Sequence, residues 1–212
     1  MISDIVSKLN ALCIVLGSSS PRRQELLKRI GLQFLVVKSN FPENLDKGSY
    51  KLSHEYIRET ALKKLTDVKT QVEESVHNCR LIIGADTVVV LDGQIMEKPA
   101  SAEEAKLMLR ALSGRRHEVV SSCVVFYRRE GDDSWRTEQF ETTTGVHFAS
   151  LPESLIEAYV ATGDSFDKSG GYGAQGVAGS FIESLDGDFF NVVGLPIQPL
   201  SACLRRIVEA NF

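Results

Sequence analysis

The sequence predicts an α/β fold: a mixed β-sheet with flanking helices. Three observations carry that expectation. Short runs rich in Val, Ile and Leu alternate with longer stretches whose apolar residues recur at helical spacing. Hairpin signals, Asp92-Gly93 and Asp186-Gly187 among them, join several of the strand-like runs. No repeat, low-complexity tract or Gly/Ser- or Pro-rich linker divides the 212 residues, so 1–212 reads as one domain with two lobes.

Residues 12–16 read as a short buried strand. The stretch "GSSSPRRQELLKRIG" (17–31) is a tight turn followed by a helix. Its Leu26, Leu27 and Ile30 share a face, Ser20 is the N-cap, Pro21 sits in the first turn and Gly31 is a left-handed C-terminal cap. A second strand is expected over 32–38, a polar loop over 39–52 and a long helix over 53–76. In "RLIIGADTVVVLDGQIMEKP" (80–99) a strand is interrupted at Gly84-Ala85-Asp86, resumes, and turns at Asp92-Gly93. "SAEEAKLMLRALSG" (101–114) opens with a Ser101/Glu104 capping box and closes at Gly114. Strands near 116–128 and 134–148 flank the turn "REGDD", and a helix over 152–162 ends at Gly163. A glycine-rich loop, strands near 178–185 and 189–193, and a final helix over 198–209 complete the chain.

Hydrophobic content of 43%, charged content of 25% and a net charge of −4 suit a soluble globular protein and argue against a nucleic-acid coat or a binder of anionic membranes. A polyanionic ligand would need a local basic pocket. The four cysteines are widely spaced with no C-x-x-C pair, which suits reduced, mostly buried thiols in the cytoplasm. The apolar core of the N-terminal segment is too short for a signal peptide, and no run approaches the ~18 apolar residues of a membrane span.

Between strand and helix, the serine turn with Ser18 and Ser20 would point free backbone N–H groups and a positive dipole end outward, beside Arg22 and Arg23, an arrangement suited to phosphate. Asp86 lies inside an otherwise apolar strand, where an unpaired buried carboxylate costs several kcal/mol. Two placements remove that cost: a strand end facing a cleft with a metal or cationic partner, or a bulge permitted by Gly84. Glu43 together with Asp86 offers a hard cation two oxygen ligands. In "FDKSGGYGAQG" (166–176) the formal G-x-G-x-x-G is not a dinucleotide fingerprint, because a strand and not a helix is expected after it. Its glycines would instead let backbone approach a ligand, with Lys168 supplying charge. Lys98 follows the hairpin and Lys63 lies on the long helix. There is no P-loop and no H-E-x-x-H, and the four histidines lack metal spacing.

In order, "SSSPRRQELL", "GADTVVVLDGQIMEKP", "LSGRRHEV", "DKSGGYGAQG" and "DGDFFNVVGLP" resemble the Maf family of nucleotide pyrophosphatases, over about residues 12–205. They also resemble the Maf-like N-terminal half of animal acetylserotonin methyltransferase-like proteins; no methyltransferase domain is expected here. The resemblance implies a Maf/inosine-triphosphatase-like architecture with a long cleft between two lobes. It implies a divalent cation (Mg²⁺, or Mn²⁺ or Co²⁺) and hydrolysis of a nucleoside triphosphate to monophosphate and pyrophosphate. Carried over by position, it makes Asp86 the general base and Arg22, Arg23, Lys63, Lys98, Lys168 and Gln175 site residues. At the three positions that separate its subgroups, Arg22, Thr87 and Gln175 match the type acting on dTTP and UTP. Gly17 and Ala174 stand where the family usually has Ala and Ile, small changes read as neutral. A homodimer is a family analogy. The competing reading is a nucleotide-binding regulatory protein without turnover.

Overall fold

Two long strands place side chains in each hydrophobic cluster of the core. In the computed structural model, which describes residues 2–42, 45–50, 52–129 and 131–212, β3 (Leu81–Leu91) and β5 (Arg116–Tyr127) pair antiparallel in continuous register. On one side β5 pairs with β6 (Arg136–Phe148) and β6 with β7 (Ile182–Asp186), both antiparallel. On the other side β3 runs parallel to β1 (Ile14–Leu16), which runs parallel to β2 (Phe34–Val36). β4 (Gln94–Met96) folds back on β3 through Asp92 and Gly93, whose φ angles of 51° and 78° are those of a type I′ turn. The seven-stranded sheet is mixed, as the alternation of elements predicts.

The helices are α1 (Val6–Asn10), α2 (Pro21–Arg29), α3 (Ser53–Ser75), α4 (Ala102–Leu112), α5 (Glu153–Ala161), α6 (Phe189–Val193) and α7 (Ile197–Asn211). Local chemistry sets their ends. At Gly31, φ +84°, the Leu32 N–H donates to the Leu27 carbonyl at 3.1 Å and the Gly31 N–H to that of Lys28 at 3.0 Å, closing α2 in a Schellman motif. The Glu104 N–H donates to Ser101 Oγ at 3.2 Å and caps α4.

Four expectations are corrected. The N-terminal segment holds a helix, α1, that the sequence reading passed over. The second strand spans three residues, not the seven of 32–38. Residues 189–193 are helix: Asp188 caps them by accepting the Phe190 N–H at 2.8 Å, and Val177–Phe181 are a 3₁₀ turn before β7. Finally, β3 is neither interrupted nor bulged at Gly84-Ala85-Asp86. Gly84 serves close packing instead, since a Cβ there would lie 2.5 Å from Leu65 Cδ1 of α3. A Cβ at Gly17 would meet the same Leu65 methyl at 2.5 Å, so the glycine and the leucine rotamer are fitted to each other.

Side chains alternate across β3, and this distributes the cores. Leu81, Ile83 and Ala85 pack with α2 and α7, while Ile82 faces Leu65, Val68 and Val72 of α3. Toward the other end Val89 and Leu91 pack with α4 and α5, and Val88 and Val90 pack with Ile57 of α3. Between these two ends of β3 the strands turn polar at the same level. Asp86 and Thr87 lie opposite Ser122 and Ser121, which lie opposite Glu141 and Thr142. This belt marks the waist between two lobes.

The lobe under α4 and α5 buries His117, 2% exposed, with the Tyr172 hydroxyl 2.7 Å from its Nε2. Burial pushes its pKa from 6.5 down to about 4, and the charge of Arg116 adds to the effect. Above pH 6.5 the ring is neutral folded or unfolded and has no effect. As pH falls from 6.5 toward 4 the unfolded chain takes up a proton that the folded one does not. Stability therefore drops across that window, by up to about 3 kcal/mol. Urea unfolding at pH 7 and pH 4.5 is expected to show this loss, and His117→Asn to remove most of it. An equal acid-induced loss in the variant would exclude His117 as the source.

Candidate active site

The cleft lies where the sheet has a gap. β1 pairs with β3 only as far as Ile83, and β4 pairs with it only from Val89 onward. Between them residues 84–88 have β5 on one side and, among the described residues, no strand on the other. Side chains from both faces of β3 therefore reach one opening of about 320 Å³. The turn after β1 and the N-terminus of α2 enter from one lobe, the hairpin strand's end and the loop 167–174 from the other.

Asp86 is neither at a strand end nor in a bulge; a cation relieves the cost of its burial. Lys64 Nζ donates to Asp86 Oδ1 at 2.8 Å, with the two side chains 17% and 14% exposed. Thr87, on the opposite face, takes an N–H bond from Arg23 Nη2 at 3.1 Å and shares a hydrogen bond with the Ser121 hydroxyl at 2.8 Å. Arg23 also donates to the Gly194 carbonyl at 2.8 Å and to Ser18 Oγ at 3.2 Å. It is thus a fixed charge, oriented from three sides. Ser18 Oγ further accepts the Ser20 N–H at 3.3 Å, and Ser20 occupies the N-cap position of α2 without a side-chain capping bond. The residues of this helix N-terminus, Ser18 to Pro21, line the cleft.

Across the opening Arg22 Nη1 donates to Asp167 Oδ2 at 2.9 Å. Lys168, 10% exposed, donates to Asp167 Oδ1 at 2.6 Å and Asp164 Oδ1 at 2.8 Å. Burial alone would raise the Asp167 pKa, but the hydrogen bonds from Lys168 and Arg22 outweigh it and hold the carboxyl below its usual range. Lys98 and Lys38 project from the rim. Among the described residues six Lys and Arg side chains and two carboxylates line the cleft, an excess of four positive charges in a chain whose net charge is −4.

The family model described as "Maf-like protein" matches residues 13–207. The chain belongs to the Maf-like protein family. A Nucleoside triphosphate pyrophosphatase of Dictyostelium discoideum is 44% identical over 190 residues, covering 89% of this chain and 88% of that one. A dTTP/UTP pyrophosphatase of Exiguobacterium sibiricum is 42% identical over 201 residues, 94% and 95% of the two chains. A human protein, "Probable bifunctional dTTP/UTP pyrophosphatase/methyltransferase protein", is 41% identical over 197 residues. That match covers 92% of this chain and 32% of the human one, so this Maf-like chain spans about a third of the human protein's length.

The Maf-like cleft gathers Ser18, Ser20, Arg22, Arg23, Asp86, Thr87, Lys98 and Lys168, as the motifs imply. Glu43 lies outside the described residues. Two expected residues sit elsewhere. Lys63, 42% exposed, turns away to Glu59 at 3.4 Å, and its neighbour Lys64 takes the place beside Asp86. One residue along a helix is a rotation of about 100°, which separates the two lysines completely. The signal for Lys64 was present in the sequence, seven residues after Ile57 and four before Val68 on the buried stripe of α3. Gln175 is exposed in an adjoining hollow with Glu25, Arg29 and Phe189, which meets the cleft at Ala174. Sequence reasoning also gave no role to Asp167 and Lys38, whose importance depends on contacts and lining across the gap.

The Asp86 carboxylate fits a divalent cation of one kind. Among the described residues no group of three or more His, Cys, Asp or Glu side chains converges to cage an ion. Mg²⁺ is commonly held by one or two carboxylates together with substrate phosphates. Asp86 and the phosphate oxygens of a nucleotide make up such a set.

Proposed function

We propose that the chain hydrolyses nucleoside triphosphates, with dTTP and UTP as preferred substrates, to the monophosphate and pyrophosphate. The observation that carries this reading is the excess of four positive charges among the described residues of the cleft, around a lysine-held carboxylate. A triphosphate bears about four negative charges, and its phosphoanhydride resists attack until they are offset. The names of the relatives support the same reaction.

The N-terminus of α2 and the cations Arg22, Lys98 and Lys168 bind phosphate oxygens. Arg23, fixed by Ser18, Thr87 and Gly194, presents a preorganised charge without reorganising. Asp86, oriented by Lys64, accepts a proton from a water as the water's oxygen attacks the α-phosphorus. The bond to the bridging oxygen then breaks and pyrophosphate leaves. A divalent cation held by Asp86 would neutralise phosphate charge.

Because Lys64 balances Asp86, excess chelator is expected to abolish turnover without shifting the unfolding temperature. Full turnover in chelator, by pyrophosphate release, would exclude metal assistance. Base preference belongs to Gln175, whose amide can pair with the O4 and N3–H edge of uracil or thymine in the adjoining hollow. Thr87 contributes differently than its small hydroxyl suggests, since that hydroxyl is committed to Arg23. Rates across a panel of triphosphates with Mg²⁺ test the proposal. dTTP and UTP are expected above 7-methyl-GTP, and Gln175→Glu to narrow the difference. No pyrophosphate from any nucleotide would overturn it and favour a binding protein without turnover.

A further inference from the structure

We propose that Asp167 is a resident competitor for the phosphate site, a carboxylate that holds Arg22 and Lys168 in the place of an anion and thereby selects polyphosphate chains over shorter anions. This rests on the reading of the cleft as a nucleotide site. The loop that carries Asp167 is pinned to the β3–β4 lobe. The Val89 N–H donates to Ser169 Oγ at 2.8 Å, the Ser169 hydroxyl donates to the Met96 carbonyl, and the Gly170 N–H donates to the Glu97 carbonyl at 3.0 Å. Gly170, φ +70°, lies so close to β3 that a Cβ would approach Val89 to 2.8 Å. Asp167 is thus fixed on one lobe while Arg22 belongs to α2 of the other, and the ion pair spans the opening.

The carboxylate is bidentate across the gap: Oδ2 takes Arg22 and Oδ1 takes Lys168, at 2.9 and 2.6 Å. Lys168 also donates to Asp164, and a phosphate that takes over the N–H groups held by Asp167 must displace that carboxylate. Asp167 is 61% exposed, so it can swing into solvent at modest cost. A short anion gains little beyond the two contacts that Asp167 gives up. A triphosphate also gains the α2 N-terminus, Arg23 and Lys98, and displaces the carboxylate with a surplus. When the chain is cut, the carboxylate recaptures Arg22 and Lys168 and helps expel pyrophosphate.

The test measures calorimetric dissociation constants of inorganic pyrophosphate and of an α,β-imido dTTP analogue at fixed Mg²⁺, in the full chain and in Asp167→Asn and Asp167→Ser. Pyrophosphate is expected to bind both variants at least about tenfold tighter, with a smaller gain for the analogue, and to become a stronger product inhibitor. The exposed position of Asp167 leaves folding intact, which melting curves check. Unchanged or weaker pyrophosphate binding in variants that still bind the analogue would overturn the proposal and make Asp167 a brace. If the wild-type chain binds neither probe, the nucleotide reading falls and this inference with it. In the wild type alone, pyrophosphate binding as tightly as the analogue would also count against it.

Discussion

Asp86→Asn is expected to lower pyrophosphate release at least ~10²-fold while nucleotide still binds, the usual scale for losing a positioned base. The amide keeps the shape of the carboxylate and can still accept a hydrogen bond from Lys64. It cannot take a proton from water, and it is a poor ligand for a hard cation. The cleft cations Arg22, Arg23 and Lys168 are held by other partners, Asp167, Ser18, Gly194 and Asp164 among them, so the substitution does not release them. The loss should therefore fall on kcat and leave KM within a few-fold. Single-turnover kinetics with dTTP and binding of a non-hydrolysable analogue measure the two effects separately. Near-normal turnover in the variant would remove Asp86 from the chemistry.

Lys64→Met is expected to cost more than ten-fold in turnover, on the order of losing one preorganised charge contact, whereas Lys63→Met stays within about twofold of wild type. Lys64 and Asp86 are both largely buried, and removing one partner of such a pair leaves the other charge desolvated and uncompensated. Because each keeps some exposure, the penalty in stability should lie below the ~3–5 kcal/mol of a fully buried pair. Lys63 is 42% exposed with Glu59 at 3.4 Å, a surface pair of the kind worth under ~1 kcal/mol. A Lys64→Arg variant that restores part of the rate with unchanged folding would mark the role as positioning by charge. Equal losses in the two methionine variants, measured by steady-state kinetics and urea unfolding, would contradict the geometry.

Much of the site was legible because its signals are local. The serine turn, the proline-led helix and Gly31 specify the end of β1 and the start of α2 through the backbone preferences of those residues alone. Asp86 announced itself as a carboxylate in an apolar strand, and a buried charge implies a partner. The identity of that partner was not local. Choosing Lys64 over Lys63 requires knowing which face of α3 meets the sheet, and the stripe of Ile57, Ala61, Leu65 and Val68 carries that information only when read against β3.

From sequence alone came the α/β class, the hairpin at Asp92-Gly93, the capped helices and a family whose motifs span nearly the whole chain. These follow from dihedral preference and hydrophobic period, which act over a few residues. The tertiary structure alone decided that β3 runs unbroken past Asp86, because Gly84 is a packing contact for Leu65 and not a bulge. It also turned residues 189–193 into a helix capped by Asp188, and tied Thr87 to Arg23, Ser121 and Gly194. The pairing of Arg22 with Asp167 joins residues 145 positions apart. Such contacts exist only once the gap between β1 and β4 brings two lobes face to face, and no pattern within a single segment encodes that gap.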